Sequence, residues 1–300
     1  MTTTQRVATT SSGQEARRHL LGGLPVTQRR ERLAGVQTAM LEGGDGAPVV
    51  LLHGPAGNAT HWLRVIPELA TTHTVIVPDL PGHGESQLTD DDGTLDAGRL
   101  VAWLRELIEC TCPSPPTLVG YALGGAIAAH FAADHGDRLD RLVLVDTLGL
   151  TGFAPTPEFG VALEAFLAQP GERTHDDLWR RCALDLDGVR AQMGEHWESF
   201  RAYNLDRART PGAIAALGGL LAQVGMPAIP VAELERIAVP TTLIWGRHDL
   251  ATALPVAEAA RDRYGWALHV IEDCADDPPI EQPAALLRAL RATMRAGDER

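Results

Sequence analysis

Val119-Gly120-Tyr121-Ala122-Leu123-Gly124-Gly125 is the stretch on which the reading of this chain turns. Before it, Pro116-Thr117-Leu118-Val119 is a short apolar run with the character of a buried strand. After it, Gly124-Gly125-Ala126-Ile127-Ala128-Ala129-His130-Phe131 reads as an alanine-rich helix packed closely on a sheet. Glycines two positions before and two after the central residue let a sharp strand-to-helix turn form without a clash. Such an elbow holds the central side chain up over the sheet. Here that side chain is Ala122, a methyl group, and it has no hydroxyl with which to attack anything.

The surrounding chain carries further blocks in a definite order. Pro48-Val49-Val50-Leu51-Leu52-His53-Gly54-Pro55-Ala56-Gly57 is a strand ending in a glycine-rich loop, and Thr74 to Ser86 contains Pro78-Asp79-Leu80-Pro81-Gly82-His83-Gly84-Glu85-Ser86. After the elbow come Arg141-Leu142-Val143-Leu144-Val145-Asp146, then Pro240 to Asp249 ending in Gly246-Arg247-His248-Asp249, then Asp276-Asp277-Pro278-Pro279-Ile280-Glu281-Gln282-Pro283. In this order and spacing the blocks resemble the α/β-hydrolase superfamily, in the branch that carries a helical cap. The resemblance covers residues 30 to 296. It implies a mostly parallel twisted sheet with helices on both faces, and it does not name a substrate.

Composition sets the outer limits. The chain has 300 residues, 45% of them hydrophobic, which suits one globular domain with an insertion. A formal net charge of −13 with no basic cluster speaks against nucleic acid and anionic membranes as partners. No apolar run reaches membrane-spanning length, and the first 25 residues lack the order of a secretory signal. Cys110, Cys112, Cys182 and Cys274 show no metal-ligand spacing, so free thiols in a reducing cytoplasm are expected. A homodimer is compatible with all of this.

Residues 1 to 25, rich in Thr, Ser, Gln and Arg, read as a flexible arm. Arg30 to Leu41 alternates like two short antiparallel strands, closed by turn chemistry at Glu42 to Gly46. Strands are expected at 48–53, 74–79, 116–121, 141–146, 240–245 and 267–272, with helices at 60–70, 94–110, 123–135, 253–264 and 280–296. Strands buried on both faces and alternating with helices imply a parallel sheet. The core is therefore assigned to 26–150 and 236–300, and the helical cap to 151–235.

In such sheets the ligand site lies beyond the carboxyl ends of the strands. The resemblance puts the nucleophile position at Ala122 and the acid at Asp249. Counting back from Pro278, Glu281 and Pro283, it puts the catalytic histidine position at Asp276. The oxyanion hole would use the N–H of Leu123 and one from the loop at Pro55, which has none to give, leaving Ala56 as a substitute. Losing one such donor costs roughly 3 to 4 kcal/mol in acyl transfer. His53, Pro55, Asn58 and Tyr121, with Trp179, Trp197 and Tyr203 from the cap, are the expected substrate-binding residues, although His53 equally braces its loop and the aromatics equally form cap core. No metal and no cofactor are expected.

These residues point to a small, apolar, carbonyl-bearing substrate. In the family fold Asp249 and Asp276 would lie within hydrogen-bond reach of each other, so one carboxyl would have a raised pKa and act as general base or acid. The chemistry expected is non-hydrolytic, of isomerase, cyclase or lyase type. The alternatives are ester or lactone hydrolysis by carboxylate-activated water, a hydrolase inactivated by a serine-to-alanine change, and a ligand-binding protein without activity.

Overall fold

Short runs rich in Val, Ile and Leu form the centre of the molecule because both of their faces are covered. The computed structural model describes residues 12–88, 95–210 and 212–295. Within them lie eight strands, β1 (Thr27–Leu33), β2 (Val36–Gly43), β3 (Ala47–Leu52), β4 (His73–Pro78), β5 (Thr117–Tyr121), β6 (Arg141–Val145), β7 (Thr241–Gly246) and β8 (Ala267–Ile271). They form one sheet in the order β1-β2-β4-β3-β5-β6-β7-β8. β1 and β2 run antiparallel and the six strands from β3 onward are mutually parallel. Every residue of β5 and β7 is buried, as expected of a sheet covered on both sides.

The hairpin β1–β2 begins earlier than its alternation suggested and closes through Ala34-Gly35, both with positive φ (45° and 92°), the geometry that fits the twist of a two-residue turn. Two expected helices are each divided by proline. Residues 60–70 become a turn of 3-10 helix at Ala59–Trp62 and a short helix at Ile66–Leu69, with Pro67 in its first turn. Residues 280–296 become Pro278–Glu281 and Pro283–Arg295, because the residue before a proline is pushed out of the helical region.

Among the described residues, six α-helices lie between β6 and β7, Pro157–Ala168, Glu172–Cys182, Leu186–Met193, Glu195–Ala208, Ala213–Leu220 and Val231–Leu234, with a π-helical turn at Leu221–Gly225. Their centre is aromatic. Trp179 meets Trp197 and Phe200 edge-on, with ring centroids 5.4 and 5.3 Å apart.

The expectation of a flexible arm does not hold for Ser12–Leu21. These residues form a helix against Glu195–Ala208, burying Ala16 and Leu20 among Trp197, Phe200 and Tyr203. Gly13 permits that closeness, since a Cβ there would stand 2.2 Å from Asp206 Cγ. The helix was missed because most of its residues are polar and its few apolar ones bury against a segment far away in sequence. The rest of the arm, residues 1–11, lies outside the described residues.

The connections define where a site must be. The chain leaves β3 toward β4 on one side, and leaves β5 toward β6 on the other. The loops after these two neighbouring strands therefore part from each other, opening a crevice at their carboxyl ends.

Candidate active site

At the end of β5 the backbone turns through Ala122, whose φ of 47° and ψ of −109° lie outside the usual regions for an L residue. The turn is clamped on several sides. Ala122 N–H donates to Val145 C=O at 2.9 Å, and its own C=O accepts from Gly125 and Leu148 at 3.0 and 3.1 Å. The flanking glycines are required by space: a Cβ at Gly120 would stand 2.5 Å from Gly124 O, and one at Gly125 would stand 1.9 Å from Thr147 Oγ1. Leu123 opens the helix Leu123–His135, so its N–H has no carbonyl four residues back within that helix and sits at the positive end of the dipole.

Ala122 faces a cavity of about 440 Å³ between the sheet and the inserted helices. Its wall is chiefly apolar, with Phe153, Phe159, Phe166, Leu178 and Trp179 prominent, and its polar residues gather in a few places. Among the described residues, four non-glycines have a positive φ, and three of them (Ala56 at 54°, Ala122 at 47°, Asp146 at 40°) are in this wall. Strain of this kind costs on the order of 1–3 kcal/mol per residue and gathers at functional sites.

One side of the cavity is acidic. Asp146, Asp276 and Asp277 line it, with Asp249 buried behind. Asp249 Oδ1 accepts from the N–H groups of Ala251 and Thr252, each at 2.7 Å, and Asp146 Oδ1 accepts from Gly246 N–H at 2.8 Å. Their remaining oxygens, both Oδ2, are buried without a hydrogen-bond donor, and the two carboxyls interact with each other. Burial first, and then the neighbouring carboxylates, raise both groups well above the ordinary carboxylate range.

Asp249 has two carboxyl neighbours: the charge of Asp276 raises it next after burial, and Asp146 bonds to it. Asp276 has the Cys182 thiol, at the end of helix Glu172–Cys182, as a further side-chain neighbour. Asp276 is raised to about 7, chiefly by burial. The Cys182 bond works against that shift and the charge of Glu281 adds to it. Asp277, also raised by burial, lies beside the Tyr121 hydroxyl, which burial keeps protonated.

Glu281 ties the cap to this corner. Its Oε1 accepts from Leu184 N–H at 2.6 Å and its Oε2 from Ala275 N–H at 2.7 Å.

The other expected residues divide cleanly. Pro55, Ala56, Tyr121, Ala122, Trp179 and Asp276 are in the cavity wall; His53, Asn58, Trp197 and Tyr203 are not. His53 is a loop brace: its Nδ1 donates to Gly54 C=O at 2.8 Å and its Nε2 accepts from Leu80 N–H at 2.9 Å. Burial holds its pKa well below the usual value, which keeps that neutral tautomer. Asn58 caps the turn at 59–62 and donates to Asn204 Oδ1 at 3.1 Å. Trp197 packs inside the aromatic cluster, and Tyr203 directs its hydroxyl to Glu85 Oε1 at 3.1 Å.

Sequence reasoning overlooked Asp146, Asp277, His175 and Cys182 as wall residues. Asp146 alone had a signal, being a carboxylate placed at the end of a strand. Among the described residues no group of three or more His, Cys, Asp or Glu is placed to hold a metal ion, and no helix is long and apolar enough to cross a membrane.

A sheet of this order, with a strained elbow under a helical insertion, defines the α/β-hydrolase fold. The chain belongs to the α/β-hydrolase fold family, whose model matches residues 47–283. It is 28% identical to the pimeloyl-[acyl-carrier protein] methyl ester esterase of Aeromonas hydrophila, covering 79% of this chain and 91% of that one. It is 26% identical to the 2-hydroxy-6-oxo-6-(2'-aminophenyl)hexa-2,4-dienoic acid hydrolase of Metapseudomonas resinovorans, over 85% and 87% of the two chains. Among solved structures, the 2-hydroxy-6-oxo-6-phenylhexa-2,4-dienoate hydrolase of a Rhodococcus strain superposes with a TM-score of 0.77 at 24% identity, over 90% of this chain and 99% of that one.

Proposed function

We propose that this protein catalyses proton transfer on a small, largely apolar, carbonyl-bearing molecule, with Asp276 as the base and acid, and with neither a covalent intermediate nor a cofactor. In this reading Ala122 and Asp276 stand where the family's serine and histidine would be, so acyl transfer through a serine is lost. The observation that carries it is Asp276 itself: a buried carboxyl on the acidic side of a chiefly apolar cavity, raised to about 7 by burial. Such a group takes and returns a proton with equal ease near neutrality. Asp276 removes a proton from the carbon beside the carbonyl, and the charge that develops on the carbonyl oxygen falls to the N–H groups of Leu123 and Ala56. The carboxylic acid then returns its proton to another carbon, or to the same one from the opposite face, which gives an isomer. The three strained residues around the cavity support a site held in shape for chemistry.

The test is solvent deuterium exchange at the carbon next to the carbonyl in a panel of aryl and cyclic ketones, followed by proton NMR. Asp276→Asn is expected to slow exchange at least about a hundredfold. Equal exchange by the variant and the unaltered protein would sink the proposal.

Hydrolysis by carboxylate-activated water is the second reading, favoured by the ester- and dienoate-cleaving relatives. Cleavage of aryl esters by the protein as it stands, lost in Asp276→Asn, would put it first.

A further inference from the structure

Helix Glu172–Cys182 lies along the cavity, and His175, Trp179 and Cys182 all stand in the wall. Spacings of four and three put these side chains in one stripe on the helix. The stripe ends at Cys182, on Asp276. Seven residues of helix at 1.5 Å per residue place His175 roughly 10 Å farther along.

His175 is enclosed to 2% exposure; its Nε2 has no polar neighbour, and its Nδ1 has Asp176 alone. Nδ1 leans toward Asp176 Oδ1 at 3.6 Å, beyond hydrogen-bond range. The other oxygen of Asp176 is engaged by Arg190 at 2.8 Å, with Arg201 at 3.6 Å. Phe166, Trp179 and Trp197 surround the imidazole at centroid distances of 6.1, 6.0 and 5.9 Å.

A phenyl ring would fill such an aromatic cluster without cost, whereas each unpartnered polar atom costs about 1–3 kcal/mol. An imidazole kept at that expense beside a cavity is explained by a partner that arrives with the ligand. Burial holds the ring near a pKa of about 4, so at neutrality it has one N–H to give and one lone pair to accept.

We infer that His175 hydrogen-bonds a second oxygen of the substrate, roughly 10 Å from the carbonyl at Asp276, with the Trp179 indole between them. The substrate class is then an apolar molecule with oxygens at both ends, two rings long or a chain of equal reach. A cavity of about 440 Å³ holds such a molecule. This deepens the preceding reading, on which it rests for placing the carbonyl at Asp276.

The experiment is calorimetric binding of para-acetyl biphenyl and of its two counterparts with a hydroxyl at the para or meta position of the distal ring. The protein is expected to bind one hydroxylated probe about tenfold more tightly than the parent, equal to about 1.4 kcal/mol. His175→Phe should abolish the preference while binding the parent at least as well. His175→Leu gives the same readout should the phenylalanine variant fold poorly, and far-UV circular dichroism checks both. No preference in the unaltered protein, including no binding of any probe, overturns the inference, and so does a preference that survives in His175→Phe and His175→Leu. Asp276→Asn is titrated alongside and should keep the preference, since binding needs no proton transfer. Deuterium exchange judges the role of Asp276 and the hydroxyl preference judges that of His175, so either can fail without the other.

Discussion

The main-chain N–H of Asp276 donates to the C=O of Cys182 at 3.1 Å, and the Cys182 thiol lies beside the Asp276 carboxyl. Cap and core thus meet at the residue proposed to move the proton. The thiol, raised by burial and by the charge of Asp276, stays protonated and donates. That donation stabilises the charged carboxyl and restrains the effect of burial.

Removing the thiol should therefore make Asp276 a stronger base. In Cys182→Ala the pH midpoint of deuterium exchange is expected to move upward, while Cys182→Ser, which keeps a donor, should move it little. A pH–rate profile of the three proteins decides it, and an unmoved midpoint in Cys182→Ala would separate Cys182 from the titration.

Asp276 also makes stability depend on pH. The folded protein keeps a proton on it up to about 7, whereas an unfolded chain gives it up near pH 4, so this group favours the folded state at low pH and loses that advantage as pH rises. The loss is on the order of 4 kcal/mol across that window. Asp146, Asp249 and Asp277 act in the same direction, and His53, His61, His83 and His175, held neutral by burial, act in the opposite one. The difference between the protein and Asp276→Asn isolates the one group: the variant's relative stability should rise from about pH 4 to pH 7 and level off above it in urea unfolding.

A hydroxyl at the elbow should not suffice for acyl transfer. Ala122→Ser alone is expected to stay within about tenfold of the unaltered protein on aryl esters, because Asp276 puts a carboxyl where the triad uses an imidazole to relay the serine proton to the leaving group. Ala122→Ser with Asp276→His should gain about a hundredfold or more. Stopped-flow release of the aryl group measures both, and a burst from the single variant would mean another base is in reach.

Space at the elbow can be tested directly. Gly125→Ala would drive a Cβ to 1.9 Å from Thr147 Oγ1 and should cost about 3 kcal/mol or more. Gly98→Ala, on the exposed side of helix Ala97–Thr111 and 3.5 Å from its nearest neighbour atom, should stabilise by about 0.5 kcal/mol. Chemical denaturation of the pair gives opposite signs if the close approach at the elbow is real.

The strands, the helix after the elbow and Ala122 at its apex were legible in the sequence because they are local. A run such as Leu142-Val143-Leu144-Val145 suits only a buried strand, and Gly120, Gly124 and Gly125 mark a tight turn wherever they occur. Legibility failed where contacts between distant segments decide. Whether Trp179 or Trp197 faces the cavity depends on how each helix is rotated against its neighbours, and 3.6-residue periodicity does not give that angle. Likewise Ser12–Leu21 is a helix because Leu20 reaches a cap more than 150 residues away.

By itself, then, the sequence determined the order of elements, the elbow and the alanine at its apex, since these follow from side-chain volume and backbone freedom within a few residues. The tertiary structure decided which charges meet. Asp146, Asp249 and Asp276 come from three separate connections, and only the convergence of those loops brings the three carboxyls together, with Asp276 beside Cys182 in the cavity wall. A buried carboxyl takes its pKa from neighbours a few ångströms away in space, whatever their distance along the chain.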